Sequence, residues 1–226
     1  MVNGSLLLTI AVLGGTGKEG KGLAYRWAKA GYRVLIGSRS SEKAVTAAGE
    51  IMQLLEGSCS VVGTTNLEAA REAEIVVITV PYPAHRETLE SVKDALKGKL
   101  LVDVTVPLVP PKISKVQMPP AGSAAQEARE IVGEDVEVVA AFQSVSYKYL
   151  LEEEESESDV LVTGTSKKAR AEALTLVEAT GLTGWDAGPI ENSVVIEGLA
   201  SVLIYINKQY GSKHAGIRVT GASQKD

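Results

Sequence analysis

The chain has 226 residues, of which 45% are hydrophobic and 23% charged, a composition typical of a globular protein that buries a core. Its formal net charge of −5, with no concentrated run of Lys and Arg, excludes the electrostatic footprint of a nucleic-acid-binding protein. Cys59 is the single cysteine and only two histidines are present, which excludes a disulfide framework and a cysteine- or histidine-rich metal site.

The first hydrophobic run covers residues 6–13, which is too short to cross a bilayer, and glycines follow it directly. The run also lacks the basic flank and the small-residue cleavage site of a signal peptide. We therefore predict a cytoplasmic protein with no membrane partner.

Short apolar runs alternate with longer helical patterns through the first half of the chain, which is typical of βαβ units and a parallel sheet. The pattern predicts strands over residues 6–13, 32–37, 61–63, 75–80 and 100–104, and helices over 19–30, 41–56 and 84–96. Gly31 ends the first of these helices, and a serine opens the second.

The pattern changes at residues 106–120, which hold five of the eight prolines and so cannot form a continuous helix or a central strand. A long irregular crossing inside a compact domain is usually functional. Beyond it the sequence predicts a helix over 123–133, a strand over 136–142, an exposed acidic loop over 152–159, a strand over 159–164, a helix over 167–180, a turn at 184–188 and a closing helix over 192–210.

The closing helix is apolar around most of its circumference, which is typical of a buried helix. In a chain of this size we expect a second copy to bury it, giving a homodimer. We predict the α/β class, with a Rossmann-type doubly wound parallel sheet, a smaller C-terminal α/β portion and this closing helix.

A glycine-rich loop stands between the first predicted strand and the first predicted helix. Gly15, Gly17 and Gly20 form a G-x-G-x-x-G motif, which is weak alone but specific in this βαβ context. The first glycine allows a tight turn, the second lets the backbone approach a pyrophosphate, and the third lets the helix pack on the sheet. The pyrophosphate then meets the free N–H groups at the helix N-terminus, so the motif predicts a dinucleotide site.

The end of the second predicted strand indicates which dinucleotide binds. NAD-binding folds place Asp or Glu there to bind the ribose 2′-hydroxyl. This chain instead has Ser38 and Arg39, followed one helical turn later by Lys43. A guanidinium can form a forked contact with a 2′-phosphate, and the hydroxyl and the ammonium add to it. We therefore predict NADP(H).

The fourth predicted strand ends in Val80, Pro81 and Tyr82, at the sheet edge where α/β proteins bind ligands. Tyr82 can pack against the adenine or the nicotinamide, and a simple proline-capped turn explains the same residues equally well. His85 follows on the predicted helix, where an isolated histidine is more often incidental than catalytic.

These residues resemble the NADPH-dependent reductases of coenzyme F420, an 8-hydroxy-5-deazaflavin. The resemblance covers essentially the whole chain, in the stretches VLGGTGKEGKGLA, GSRSSEKA, VDVTVPLVPPK, SAAQEARE, VVAAFQSVS, WDAGPIENSVVIEGLASVLIYINKQY and GIRVTG. Many dehydrogenases share the glycine loop, whereas its combination with the D-A-G-P-x-x-N-S stretch and the closing helix is far more specific. Gln143 stands where archaeal members tend to have histidine, which favours a bacterial branch.

The resemblance implies two coenzymes, NADP(H) and coenzyme F420, and reversible hydride transfer between them. It places Thr16, Gly17, Lys18 and Glu19 at the pyrophosphate, and Ser38, Arg39 and Lys43 at the 2′-phosphate. The nicotinamide–deazaflavin cleft is implied to be lined by Val80, Pro81, Tyr82, Val106, Pro107, Gln143, Ser144, Val145, Ser146 and Tyr147. Asn192 is placed beside the 186–189 turn on the deazaflavin side. We predict an NADP-binding Rossmann domain over residues 1–142, and a smaller deazaflavin-binding and dimerising portion over 143–226.

Hydride transfer between two stacked rings needs no protein nucleophile and no metal, so we predict no catalytic side chain and no metal site. Two alternatives stay open. One is an NADPH-dependent reductase of a ferric chelate, an imine or a keto acid, although imine and keto-acid reductases usually need a placed acid. The other is a non-catalytic NADPH-sensing module, which would bind NADPH without turnover.

Overall fold

The computed structural model describes residues 8–57, 59–151 and 157–223. Its strands are β1 (Thr9–Leu13), β2 (Arg33–Ser38), β3 (Val61–Thr65), β4 (Ile75–Ile78), β5 (Leu100–Asp103), β6 (Glu137–Ala140), β7 (Asp159–Gly164) and β8 (Thr183–Pro189). They form one sheet in the order β3-β2-β1-β4-β5-β6-β7-β8. Neighbouring strands are parallel except β6 and β7, which are antiparallel. The predicted Rossmann-type α/β fold is confirmed.

Eight α-helices connect or close these strands in the described part of the chain. They are α1 (Lys18–Lys29), α2 (Ser41–Leu54), α3 (Asn66–Glu72), α4 (Tyr82–Val92), α5 (Ala124–Val132), α6 (Tyr147–Leu151), α7 (Lys167–Ala179) and α8 (Ser193–Tyr210). The side chains of Ser40, Ser123 and Ser166 each accept a hydrogen bond from a backbone N–H group, and so cap the N-termini of α2, α5 and α7.

Both faces of the sheet are buried, which is why its central strands are apolar without alternation. Ile10 and Val12 of β1 point to the face covered by α1, α2 and α7, where Trp27 is fully buried. Ala11 and Leu13 point to the opposite face, covered by α3, α4, α5 and α8. The two layers hold the carboxyl ends of the strands rigidly, so that the loops leaving them can form a site.

Three elements differ from the prediction. The predicted turn at 184–188 is wrong, because these residues belong to β8, which pairs in parallel with β7. Gly184 lies so close to α7 that a Cβ there would be 2.7 Å from Leu174 Cδ2, and Trp185 donates its indole N–H to Asp159 at 2.9 Å. Helices α3 and α6 were not predicted. Residues 6–7 of the first predicted strand and 152–156 of the acidic loop lie outside the described residues.

The proline-rich segment 106–120 is free of helix and strand, as predicted. It runs from β5 to α5 and passes along α8, since a Cβ added at Gly198 would lie 3.5 Å from Met118 Cε and 3.6 Å from Val116 Cγ1. The segment therefore joins the end of the central sheet to the closing helix.

The closing helix has the length and apolar composition of a membrane span, over residues Ile190–Tyr210 with a mean hydropathy of 1.3. This criterion uses length and composition alone, and core helices of soluble proteins also meet it. Here α8 carries the fully buried Glu197 and packs on α5 and on the proline-rich segment.

Candidate active site

The first cavity, of about 400 Å³, opens at the carboxyl end of β1. β1 lies between β2 and β4, which makes this edge the topological switch point of the sheet, where open α/β folds bind their ligands. Nine of the predicted site residues line it: Thr16, Gly17, Lys18, Glu19, Ser38, Arg39, Lys43, Val80 and Pro81. The structure also brings Asn66, Thr79, Ala84 and Thr88 into its wall, and sequence reasoning missed these.

Two glycines of the loop, Gly15 and Gly20, lie behind this cavity and allow the loop and α1 to pack closely on the sheet. The Gly15 N–H donates to the carbonyl of Gly37 at 3.1 Å. A Cβ at Gly20 would lie 2.6 Å from Thr79 Oγ1 and 2.7 Å from Gly15 Cα, so only glycine lets α1 pack this closely. These contacts fulfil the packing roles that the motif predicts.

Gly17 differs from them because the space that a Cβ would occupy there is open. A Cβ there would meet only the Gly14 carbonyl oxygen, at 3.5 Å. Gly17 precedes the first residue of α1 and lines the cavity, so this space lies where the free N–H groups of the helix terminus point. The residues therefore fit a dinucleotide pyrophosphate.

The opposite end of the first cavity is cationic. Arg39 and Lys43 line it, both are exposed, and neither has an ion-pair partner in the described part of the chain. Ser38 is buried, and its Oγ accepts the Ser40 N–H at 3.2 Å, which leaves the hydroxyl hydrogen free to donate. This arrangement suits a phosphate dianion and not a ribose hydroxyl.

The second cavity has a volume of about 430 Å³ and adjoins the first. Six further predicted residues line it: Val106, Gln143, Ser144, Val145, Ser146 and Tyr147. Its remaining wall comes from the proline-rich segment, from α8 and from the C-terminal segment, through Leu108, Ala200, Leu203, Ile204, Asn207, Lys213 and Ala215. Sequence reasoning missed this half of the wall.

Gln143 gives the second cavity an unused hydrogen-bond acceptor. Its Nε2 donates to the backbone carbonyl of Asp103 at 2.8 Å, which fixes the amide, while its buried Oε1 has no partner. A buried acceptor without a donor is costly unless a ligand supplies one. The N–H of a planar heterocycle such as a deazaflavin suits this position.

The two cavities meet at the N-terminus of α1. Lys18 lines the first and Tyr147 the second, and Lys18 Nζ lies 3.4 Å from the Tyr147 hydroxyl and 5.0 Å from the centre of its ring. Glu19 lines both cavities. Burial raises the pKa of the Glu19 carboxyl to about 8.

Besides Gly15 and Gly20, which lie behind the first cavity, three predicted residues line neither cavity. Tyr82 donates its hydroxyl to Glu127 at 2.9 Å, Pro107 is buried, and the Asn192 amide donates to the Ala187 carbonyl at 2.7 Å. Contacts of these three with a coenzyme stay predictions. No group of three or more metal-ligating side chains is arranged to hold an ion within the described ranges.

His85, interpreted from the sequence as incidental, belongs to a buried polar cluster behind the site. Its Nε2 lies 2.7 Å from the Asp103 carboxylate, and both side chains are buried. Glu197 of α8 accepts the N–H groups of Ala124 and Ala125 at 2.7 and 3.1 Å, and so caps α5. The cluster links α4, β5, α5 and α8 where the proline-rich segment leaves the sheet.

The protonation of this cluster depends on burial and on charge. Burial and, to a smaller extent, repulsion from Asp103 raise the pKa of Glu197 to about 8. The hydrogen bonds from two backbone N–H groups and the attraction of His85 lower this pKa but do not outweigh the burial. For His85, burial opposes the charged form, but the attraction and hydrogen bond of Asp103 outweigh it and raise the pKa of the imidazole.

We predict that stability falls as pH rises through the neutral range. Glu197 binds its proton more tightly in the folded state, where its pKa is about 8, than at its ordinary value of 4.5. Its contribution is therefore complete below about pH 4.5 and is lost as pH rises to about 8. Glu19 and His85, whose pKa values are also raised, act in the same direction. The free energy of unfolding at pH 6 should exceed that at pH 9.

The variant Glu197→Gln should flatten this dependence, since glutamine keeps an acceptor for α5 but does not titrate. The exposed Glu178→Gln on α7 is the matched control and should follow the wild-type curve. Denaturant titrations at both pH values measure the difference. A Glu197→Gln curve parallel to the wild type would show that Glu197 is ionised at pH 6.

The fold and the site together define a class of protein. A dinucleotide loop at the switch point of a Rossmann-type sheet, a cationic recess after β2 and an adjoining second cavity are the features of an NADP-dependent oxidoreductase. Curated F420-dependent NADP reductases are 36–40% identical to this chain over 94–98% of its length, so the chain belongs to that family, which confirms the resemblance.

Comparisons with known proteins establish this membership. The family model described as "NADP oxidoreductase coenzyme F420-dependent" matches residues 9–107. The F420-dependent NADP reductase of Methanothermobacter marburgensis is 40% identical, over 94% of this chain and 98% of the relative. That of Methanocaldococcus jannaschii is 36% identical, again over 94% of this chain and 98% of the relative.

Solved structures agree with the fold. A candidate F420-dependent NADP-reductase from Arthrobacter sp. FB24 superposes with a TM-score of 0.79 at 25% identity, covering 94% of this chain and 99% of that one. The NADP-bound pyrroline carboxylate reductase of Plasmodium falciparum has a TM-score of 0.59 at 15% identity, covering 92% and 68%, and shares the fold alone. The bacterial branch inferred from Gln143 stays a prediction.

Proposed function

We propose that this protein transfers hydride reversibly between NADPH and coenzyme F420. The observation that carries the proposal is the pair of adjoining cavities, one with a dinucleotide loop and a phosphate recess, the other lined mostly by apolar and neutral polar side chains, with Glu19 and Lys213 as its acidic and basic residues. Relatives that share nearly the whole chain are named F420-dependent NADP reductases.

The first cavity would hold NADPH in an extended form. Arg39, Ser38 and Lys43 would bind the 2′-phosphate at one end, and the N-terminus of α1 would bind the pyrophosphate through backbone N–H groups. The nicotinamide end would then lie beyond the loop, toward Val80 and Pro81, where Thr79 and Thr88 add polar wall.

The second cavity would hold the deazaflavin ring. Gln143 presents its free Oε1, and α8 and the proline-rich segment supply an apolar wall through Leu203 and Leu108. The coenzymes supply the hydride chemistry, while the protein aligns the two rings at a near-attack distance of roughly 3–3.5 Å and excludes water. Residues 143–226 thus complete a site begun by residues 1–142.

Direct mixing tests the function. Purified protein, NADPH and oxidised deazaflavin are combined, and the visible absorbance of the oxidised deazaflavin is followed. We expect its loss with NADPH and slow or no loss with NADH. An unchanged absorbance, with activity on a ferric chelate, an imine or a keto acid instead, would show that the hydride acceptor is not the deazaflavin. Binding of NADPH without turnover on any acceptor would indicate that the protein is an NADPH-sensing module.

A tryptophan in place of Ile204 tests the second cavity by itself. Ile204 is half-buried in its wall, so a larger side chain there should occupy the ring site. Because overfilling of this kind costs about 1–3 kcal/mol, the Kd of oxidised deazaflavin should rise roughly 5- to 150-fold. The Kd of NADPH should not change. The exposed Lys208→Trp on the same helix is the control, and equal effects of the two variants would contradict the assignment.

We also infer a cytoplasmic homodimer. On α8, apolar side chains remain exposed in the single chain, with Val195 at 63%, Tyr205 at 55% and Val202 at 45%. An exposed apolar helix face of this kind is typical of an interface between copies of one chain. Sedimentation at micromolar concentration should give twice the mass of the 23.8 kDa chain. A monomer at that concentration would contradict the dimer.

A further inference from the structure

Glu19 occupies the one position shared by the two cavities. Among the described residues that line them, it alone belongs to both walls. Glu19 is half-buried, but its Oε1 is shielded from solvent and has no hydrogen-bond partner, so this carboxyl oxygen stands unpaired between the sites of the two coenzymes. The inference drawn from it rests on the proposed function.

The charged neighbours of Glu19 do not neutralise it. Lys18, Arg39 and Lys43 line the first cavity, and Lys213 lines the second. The Lys18 ammonium is directed at Tyr147, and desolvation by burial is the cause that sets the pKa of Glu19. With that pKa raised to about 8, the carboxyl keeps its proton at neutral pH. A neutral acid also avoids repulsion from the phosphates of NADPH.

We propose that Glu19 supplies the proton that accompanies hydride transfer. A hydride carries two electrons and one proton, so reduction of a deazaflavin by NADPH consumes one further proton. Glu19 gives that proton to a pyrimidine nitrogen of the deazaflavin as the hydride passes from the nicotinamide to C5, and its carboxylate then faces the cationic ring of NADP⁺. The opposite charges attract, so the loss of the hydride lowers the cost of ionising Glu19. Solvent returns the proton after product release, and the reverse reaction follows the same steps backward.

Infrared difference spectroscopy reads the protonation of Glu19 without turnover. Wild-type protein at pH 7 is mixed with NADP⁺ or with NADPH. We expect NADP⁺ to remove part of the carbonyl band of protonated carboxylic acids, and NADPH to leave that band in place. Glu19→Gln should abolish the NADP⁺-induced loss. Glu197→Gln is the matched control, because Glu197 is also a buried acid with a raised pKa but lies outside both cavities. Identical NADP⁺ spectra for wild type and Glu19→Gln would overturn the proposal.

Single-turnover kinetics tests the same step in the reaction. The rate of hydride transfer in Glu19→Gln, measured at saturating NADPH, should fall by about 100-fold, the lower range for removal of a positioned acid. The fall in wild-type rate above about pH 8 should disappear in the variant. An unchanged rate in Glu19→Gln would overturn the role of Glu19 alone. A wild-type protein that transfers no hydride to deazaflavin would instead overturn the proposed function.

Discussion

Replacement of Arg39 with alanine is expected to weaken NADPH binding by about 1.5–3 kcal/mol, the range for hydrogen bonds to charged groups, which is roughly a 10- to 150-fold rise in Kd. Arg39 is exposed at the cationic end of the first cavity and has no ion-pair partner in the described part of the chain. Its guanidinium is therefore free to bind the 2′-phosphate in the forked geometry that lysine cannot reproduce. NADH lacks that phosphate, so its Kd should barely change.

Isothermal titration calorimetry with both nucleotides measures this effect. Arg71→Ala on α3 is the control, since Arg71 is also an exposed arginine and lines neither cavity. It should bind both nucleotides as the wild type does. Equal losses of NADPH and NADH affinity in Arg39→Ala would show that Arg39 does not distinguish the 2′-phosphate.

Replacement of Gly17 with alanine should abolish most NADPH binding and leave the fold intact. Its backbone, at φ −74° and ψ 165°, is accessible to alanine, and the added Cβ would enter open space. That space is where we place the pyrophosphate, so the methyl group should separate the phosphates from the N-terminus of α1. Loss of one or two charge-assisted hydrogen bonds there, at about 1.5–3 kcal/mol each, raises the Kd by at least roughly 10-fold.

Thermal unfolding and NADPH titration of the same sample separate the two effects. Gly17→Ala should keep the wild-type Tm and lose affinity. Gly49→Ala on α2 is the matched control, because a Cβ there also meets nothing within 4 Å and Gly49 lines neither cavity. It should keep full affinity. A Gly17→Ala variant that binds NADPH as tightly as wild type would show that the pyrophosphate does not bind at this loop.

The fold of the first half could be predicted because its signals are local. Each buried strand is a continuous apolar run, and each long helix has a periodic apolar face. The missed α3 has a sequence signal in hindsight, since Thr65 and Glu68 form a capping box that is present in the structure. Helix α6 has only five residues, too few for a periodic pattern.

The C-terminal part was harder because tertiary packing decides it. Gly184 and Gly188 in β8 resemble turn residues, but Gly184 is required by the close approach of α7. Only pairing with β7 makes this segment a strand. Local propensity therefore indicated a turn where the sheet edge imposes an extended chain.

The two halves of the site differ in the same way. The glycine loop and Arg39 follow directly on their strands, so a motif and its spacing are enough to predict their position. The second cavity joins residues distant in sequence, such as Val106, Gln143 and Ile204, and no periodic pattern indicates that α8 faces it. His85 and Glu197 are alike in this respect, since their buried environment arises only when α4, β5 and α8 pack together.

Transfer of deuterium from NADPH labelled at the reactive C4 position tests direct hydride exchange between the two coenzymes. The reaction is run in ordinary water, and the mass of the reduced deazaflavin is then measured. Two aligned rings in adjoining cavities predict that the transferred deuterium is retained at C5 of the deazaflavin. A reduced deazaflavin that carries only solvent hydrogen would contradict direct transfer.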